Sequence, residues 1–166
     1  MKTTLLIQKP IKKMPEVLIY NVPNTGRYNM FSSKEGRRGF VGVMDLSVDN
    51  FKGQDALKIV DLLIFEREKG YGSHFINFAK ALSRKFFGGR VFLEASTLPI
   101  DPFAPPHVFY RKHGFTTDNE KVLKKIDQSL KKQKQLSYFD APNTIMYFPS
   151  EEAPKKNYFH WLKSLL

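Results

Sequence analysis

The chain has 166 residues, no cysteine and a formal net charge of +11, with 27 Lys and Arg residues against 16 Asp and Glu residues. This length predicts a single domain over residues 1–166. Without cysteine, a disulfide framework, a Cys-ligated metal site and a cysteine nucleophile are excluded. The aromatic content of 14% is too high for a disordered basic tail. The positive charge favours partners that carry phosphate.

The opening segment, MKTTLLIQKP, contains an apolar run of only three residues, Leu5, Leu6 and Ile7. The apolar region of a secretory signal needs ~7 to 15 residues. No later stretch approaches the ~18 apolar residues of a membrane-spanning helix. We therefore expect a cytoplasmic protein without a membrane partner.

The first half of the sequence alternates short apolar segments with turn residues. Residues 17–20, 28–31 and 39–44 are rich in apolar and aromatic side chains and are separated by clusters of Pro, Asn, Gly and Lys. This pattern predicts an antiparallel meander. Residues 57–65 follow as a near-continuous apolar run, which is typical of a central strand buried on both faces.

Beyond residue 66 the apolar period changes from that of a strand to that of a helix. Apolar residues recur at spacings of three and four across residues 72–87, which predicts a helix ended by Gly88 and Gly89. Residues 90–95 then form another apolar strand. A strand, a helix and a strand in this order predict a right-handed crossover between two parallel strands. The helical stripe consists of Phe75, Phe78, Ala79, Leu82 and Phe86.

The remaining elements are shorter. Four prolines make residues 96–106 an irregular loop. A short helix is expected over residues 107–113, ended by Gly114. Residues 144–148 predict the last strand, and residues 158–166 predict a terminal helix.

A basic helix is predicted between the short helix and the last strand. Thr117 and Glu120 have the spacing of a capping box, which starts this helix at about Asp118. Its apolar stripe should dock on the domain, and its lysines should lie in solvent. The stripe is Val122, Ile126 and Leu130, and the lysines are Lys121, Lys124, Lys125, Lys131 and Lys132.

Residues 67–72, Arg-Glu-Lys-Gly-Tyr-Gly, lie between the central strand and the long helix. Unpaired N–H groups and the positive end of the helix dipole meet at such a junction, which favours an anion. Gly70 and Gly72 lack the Cβ that would hold a pyrophosphate at a distance, and Arg67 and Lys69 add positive charge. The sequence matches neither the mononucleotide P-loop nor the dinucleotide fingerprint. The alternative is a tight loop that only caps the helix.

The spacing Arg67-x-x-Gly70-x-Gly72 resembles the pyrophosphate loop of the GNAT superfamily of acetyl-CoA-dependent N-acetyltransferases. Residues 108–115, Val-Phe-Tyr-Arg-Lys-His-Gly-Phe, resemble the fourth-helix motif of that family. The resemblance implies an α/β fold of GNAT type, with a central mixed β-sheet flanked by helices and an added basic helix between the last strands. It also implies that acetyl-CoA is held by Arg67, Glu68, Lys69, Gly70, Tyr71, Gly72, Ser73 and Tyr110.

The resemblance makes Tyr110 the candidate general acid for the departing thiolate. A phenol with a pKa of ~10 stays protonated at neutral pH and can donate to a thiolate whose conjugate acid has a pKa of ~8.5. Without a cysteine, the simplest route is direct attack of an amine on the thioester. Asp61 and Glu94 lie in apolar strands and are the alternative candidates for the general base. Either carboxylate could instead face solvent.

The four histidines, at positions 74, 107, 113 and 160, show no metal-ligand spacing. We therefore expect no metal. His107 and His113 bracket Tyr110, and we expect each to be a packing or surface residue.

These observations together predict direct transfer of an acetyl group from acetyl-CoA to a primary amine of a small molecule, a peptide or protein, or an aminoacyl-tRNA. Residues 41–66 contain five acidic and two basic residues, a net charge of −3 that would attract an ammonium group. The alternatives are a basic nucleic-acid-binding module and a non-catalytic acyl-CoA-binding protein of the same fold. Nucleic acid is the less favoured partner because no recognition motif is present. We expect a monomer or a homodimer.

Overall fold

The computed structural model describes residues 16–34, 37–96 and 105–149. These residues form one mixed sheet of six strands in sequential order, with three α-helices. Most of the predicted loop 96–106 and the predicted helix 158–166 lie outside the described residues. The strands are β1 (Val17–Asn21), β2 (Arg27–Lys34), β3 (Arg37–Phe51), β4 (Gln54–Ile64), β5 (Val91–Ala95) and β6 (Thr144–Phe148), and the helices are α1 (Tyr71–Phe86), α2 (His107–Lys112) and α3 (Glu120–Lys132).

Strands β1 to β4 pair antiparallel, as the meander pattern predicts. Strand β3 extends seven residues beyond the predicted end at Met44, to Phe51. In this extension Leu46 is buried and the residues on either side of it are polar, which is the alternation of a half-buried strand. The hairpin that follows turns at Lys52 and Gly53, which both have a positive φ, of 53° and 80°. Positive φ at both central residues is the geometry that closes a two-residue hairpin.

The predicted crossover is confirmed: β4 and β5 run parallel, and α1 joins them. Helix α1 begins at Tyr71, and its apolar side packs on the sheet over Gly42. A Cβ on Gly42 would lie 2.7 Å from the Leu63 carbonyl oxygen and 3.3 Å from the ring of Phe75. The absence of that Cβ therefore lets the helix approach the strands closely.

The expectation that β4 is buried on both faces is wrong. The strand is central, but Val60 is 58% exposed and Leu63 is 48% exposed. Leu57 and Ile59, which lie where β4 pairs with β5, are buried in the core. The described helices pack on one face of the sheet, so the apolar residues on the other face of β4 stay open to solvent.

One continuous core holds the described elements together. The inward residues of all six strands meet apolar residues of α1, α2 and α3 in this core.

The opposite sheet face carries a row of aromatic rings across β1, β2, β3 and the end of β4, with neighbouring centroids 5.7, 5.4 and 5.2 Å apart. That row is Tyr20, Phe31, Phe40 and Phe65.

Helix α3 is present with its predicted stripe, but the predicted capping box is wrong. The N-cap is Asn119, whose side-chain oxygen accepts from the Val122 amide at 3.2 Å. Thr117 is buried, and its hydroxyl oxygen accepts a hydrogen bond from the Asn119 amide. This bond lies in the turn that precedes the helix. Asn is at least as favourable an N-cap residue as Thr. Because the buried Thr117 side chain is used in the turn, Asn119 caps the helix instead.

The stripe and the basic face of α3 lie as predicted. Val122 and Ile126 are buried, Leu130 is partly buried, and the five predicted lysines are exposed. The helix is tied to α2 by Arg111, whose guanidinium donates to Asp127 at 2.7 and 3.2 Å.

We expect Asn119→Ala to lower the free energy of unfolding by about 1 kcal/mol, because the Val122 amide loses its only side-chain acceptor at the start of α3. Urea denaturation followed by circular dichroism measures this change. Lys121→Ala, on the exposed side of the same first turn, is the control and should change stability by less than about 0.5 kcal/mol. Equal stability of Asn119→Ala and the wild type would contradict the assigned cap.

Candidate active site

The candidate site begins where β4 and β5 part. The two strands pair only from Leu57 to Ile59 on β4 and from Val91 to Leu93 on β5. Beyond that point β5 continues along β6, and β4 continues along β3 as far as Ile64. Within the described ranges, residues 60–64 of β4 therefore have no strand partner on the β5 side, and the sheet opens in its middle.

A bulge in β4 directs backbone amides into this gap. The Leu57 amide donates to Arg90 on the β5 side, whereas the Phe65 amide donates to Val41 on the β3 side. Successive amides along a regular strand point to opposite sides, so the amides of residues 57 and 65, an even number of residues apart, would point to the same side. They point to opposite sides because the register of β4 shifts opposite Asp45. After the shift the Leu62 amide faces the gap, where it donates to the carboxylate of Asp61 at 2.8 Å.

Tyr110 on α2 lies close enough to Asp61 for the carboxylate charge to act on it. The tyrosine is 9% exposed and packs edge to face or tilted against Phe109 and Phe115. Burial, with a smaller contribution from the negative charge of Asp61, raises the pKa of Tyr110 to about 12. The phenol therefore stays protonated throughout the neutral and moderately alkaline range.

The two candidate bases lie on opposite sides of the gap. Asp61 is on β4, and Glu94 is on β5 one residue beyond the pairing with β4, opposite Ile145 of β6. Both side chains are exposed, so the expectation that these carboxylates face solvent holds, and the expectation of a buried carboxylate does not. Asp61 is the carboxylate whose charge reaches Tyr110.

Two of the five acidic residues in residues 41–66 are paired with a basic side chain. Arg27 donates to both carboxylate oxygens of Asp45 at 2.8 Å, and these hydrogen bonds hold the pKa of Asp45 below its usual value. Lys58 lies 3.4 Å from Asp49. Asp61, directly opposite Asp45 in the β3–β4 pair, lies at the rim of the gap, where the charge of Arg27 also acts on it.

The N-terminus of α1 has the donor set of an anion site. Gly70 is the N-cap, with φ of 82°, and no side chain caps the helix. The His74 amide is the first that donates within the helix, to Gly70, so the amides of the first three helical residues have no partner in the ladder. The first turn contains no acidic residue. These free amides fit a pyrophosphate group.

The side chains of the predicted loop take different roles around these amides. Arg67, Glu68 and Lys69 are exposed, and Glu68 has a positive φ of 60°. Tyr71 is only 3% exposed and belongs to the core, so its amide, and not its ring, faces an anion. Ser73 is partly buried on the side of α1 that faces α2.

Gly72 serves a purpose that the sequence did not indicate. A Cβ at this position would lie 2.9 Å from Cζ of Phe109, inside normal contact distance. The absence of a side chain at Gly72 therefore permits the close approach of α2 to α1. The approach of a pyrophosphate to this glycine stays a prediction. The site residues of the two sequence motifs are thereby in direct contact.

Two of the histidines have structural partners that sequence spacing cannot reveal. His113 Nε2 lies 3.0 Å from the Ser73 hydroxyl, and its ring packs against Phe109 with centroids 4.7 Å apart. His107 is fully buried and its Nε2 donates to the Pro142 carbonyl at 3.0 Å, while burial lowers its pKa. The neutral imidazole of His107 thus joins α2 to the segment before β6.

Neither a metal-binding cluster nor a membrane-spanning helix is present among the described residues. No group of three or more His, Asp or Glu side chains there is arranged to hold a metal ion. Among those same residues, no helix has both the length and the apolar character needed to cross a bilayer.

No protein-family model and no curated protein sequence matches the chain. Solved structures with similar backbones include N-acetylglutamate synthase from Neisseria gonorrhoeae in complex with coenzyme A and N-acetylglutamate, at 14% identity and a TM-score of 0.45. That match covers 76% of this chain but only 26% of the synthase, so the chain spans about a quarter of its length.

Two further matches cover a larger share of both chains. Nourseothricin acetyltransferase has 16% identity and a TM-score of 0.47, with 89% of this chain and 84% of that chain covered. A mutant AtaT toxin bound to the C-terminus of the antitoxin AtaR and acetyl-CoA has 15% identity and a TM-score of 0.43, with 79% and 68% covered. All three TM-scores are below 0.5.

We expect Gly72→Ala to weaken coenzyme A binding by displacing Phe109 and with it α2. Gly72→Ala combined with Phe109→Leu should recover most of the affinity, because the shorter side chain leaves room for the added methyl group. Calorimetry on the wild type and the two variants measures the effect. A double variant as weak as Gly72→Ala alone would show that the methyl group blocks the ligand directly.

Proposed function

We propose that the chain is an acetyl-CoA-dependent N-acetyltransferase of GNAT type. The observation that carries this proposal is the combination of three features: an uncapped helix N-terminus beside basic residues, a gap between two parallel strands, and Tyr110 within range of the Asp61 charge at that gap. The features follow one another along the chain in the order of the two sequence motifs. Their contact through Gly72 and Phe109 supports a single site.

The residues present fit the parts of acetyl-CoA. The free amides at the start of α1, together with Arg67 and Lys69, match the negative charge of the pyrophosphate. The backbone groups of residues 60–64 that face the gap, apart from the Leu62 amide that already donates to Asp61, match the amide groups of a pantetheine arm. When bound, acetyl-CoA would supply an acetyl group activated as a thioester.

In this proposal Tyr110 acts as a hydrogen-bond donor to the sulfur. With a phenol pKa of about 12, complete proton transfer to a thiolate whose conjugate acid has a pKa of ~8.5 would be uphill by about 5 kcal/mol. Donating a hydrogen bond to the developing thiolate incurs no such cost and stabilises the charge where it forms. The thiolate then takes its proton from solvent after the C–S bond has broken.

Asp61 is the better of the two candidate bases. The neutral amine of the acceptor attacks the thioester carbonyl, and the nitrogen must lose a proton as the new C–N bond forms. Asp61 lies at the rim of the gap and interacts with Tyr110, so it can attract an ammonium group and pass its proton to solvent. Glu94 stays the alternative from the β5 side. The acceptor is a primary amine of a small molecule, a peptide or protein, or an aminoacyl-tRNA.

The test is release of free coenzyme A thiol from acetyl-CoA in the presence of a panel of amines. Tyr110→Phe should lower kcat by roughly 10²-fold with little change in coenzyme A affinity, because one donor to the developing charge is lost. Tyr147→Phe is the matched control: its hydroxyl donates to Asp118 beside α3, so its removal should leave kcat within about twofold.

Coenzyme A binding without thiol release for any amine would favour the non-catalytic acyl-CoA-binding alternative. RNA binding without coenzyme A binding would favour the basic module. Normal turnover of Tyr110→Phe would assign Tyr110 to packing only.

The pH profile gives a separate prediction. Because burial and Asp61 raise the pKa of Tyr110 to about 12, the donor stays protonated and kcat should show no decline attributable to Tyr110 between pH 7 and about pH 10. A decline centred below pH 10 in the wild type that Tyr110→Phe removes would contradict the buried, protonated phenol.

A further inference from the structure

His113 is joined to α1 at two points, although it lies at the end of α2. Its Nε2 is 3.0 Å from the hydroxyl oxygen of Ser73, in the first turn of α1. Its backbone carbonyl accepts from the ammonium of Lys80, two turns further along α1. Its ring also packs edge to face on Phe109, the side chain that covers Gly72.

The imidazole of His113 is held in its neutral form. Partial burial lowers the pKa of His113, and the positive charge of Lys80 lowers it further. A neutral imidazole carries a hydrogen on only one nitrogen, so the Ser73–His113 contact has two arrangements. Either the serine hydroxyl donates to a bare Nε2, or the Nε2–H donates to the serine oxygen.

Only the second arrangement suits an anion at the start of α1. If Ser73 donated to the ring, its oxygen lone pairs would face the anion and repel it. If the ring donates to Ser73, the hydroxyl hydrogen is free and can point to an acceptor beside the unpartnered amides of the first turn.

We propose that His113 is a positioning residue for the cofactor: its Nε2–H donates to Ser73 Oγ and turns the Ser73 hydroxyl toward a phosphate oxygen at the N-terminus of α1. The inference rests on the proposed function, because it assigns a role at the coenzyme A site. His113 touches the serine and not the ligand, and it acts on the ligand through that serine.

The test compares acetyl-CoA with S-acetylpantetheine, which has the same thioester but no pyrophosphate. His113→Phe keeps an aromatic ring against Phe109 and removes the hydrogen bond. It should reduce the preference in kcat/KM for acetyl-CoA over S-acetylpantetheine by about tenfold, because the charge-assisted hydrogen bond from Ser73 to the phosphate loses the orientation that His113 imposes. A merely structural loss would lower the values for both substrates equally and leave the preference unchanged.

Ser73→Ala and His113→Gln complete the design. Ser73→Ala should reduce the preference at least as much as His113→Phe, and adding His113→Phe to Ser73→Ala should reduce it no further, because His113 acts only through the Ser73 hydroxyl. His113→Gln places an amide N–H near the position of Nε2 and should recover most of the preference.

An unchanged preference in His113→Phe, or fully additive effects in the double variant, overturns the positioning role. If the wild type neither binds coenzyme A by calorimetry nor uses either thioester, the proposed function itself fails. The two failures are distinguishable because the first leaves the wild type active.

Discussion

The parting of β4 and β5 is the constraint on which the candidate site depends. Each strand keeps its outer neighbour, β3 for β4 and β6 for β5, so the sheet stays whole while its middle opens. The bulge opposite Asp45 then turns backbone amides of β4 into the opening. Because α1 follows β4 directly, its uncapped N-terminus lies at the end of the same opening. The short pairing of β4 with β5 thus creates a cleft between them, and the crossover helix α1 places an anion site at its end.

The contact between α1 and α2 makes one unit of two motifs that are about 40 residues apart. Gly72 admits the ring of Phe109, and Ser73 and Lys80 bind His113 from two sides. Tyr110 is on the same short helix as Phe109, so the position of its hydroxyl depends on α1. A helix of six residues has little stability of its own, and these contacts supply the orientation that its length cannot.

Burial and charge set the chemistry of the polar groups at the gap. Tyr110 is buried next to a carboxylate, and both effects favour the neutral phenol, so hydrogen-bond donation suits it better than proton release. Asp61 stays exposed and is anchored by the Leu62 amide, while the neighbouring Asp45 is paired with Arg27. An amine that enters the gap from the β4 side therefore meets the exposed carboxylate of Asp61.

Local patterns in the sequence were enough to predict most of the elements and the two motifs. The meander, the crossover, the stripe of α3 and the last strand follow from apolar periodicity and turn residues, which act over a few positions. The tertiary structure decided what depends on distant partners: the length of β3, the exposed face of β4, the cap at Asn119, and the partner of Gly72. It alone brought Asp61 to Tyr110 and His113 to Ser73, because a side chain's burial and its hydrogen bonds depend on which distant residue the packed core places beside it.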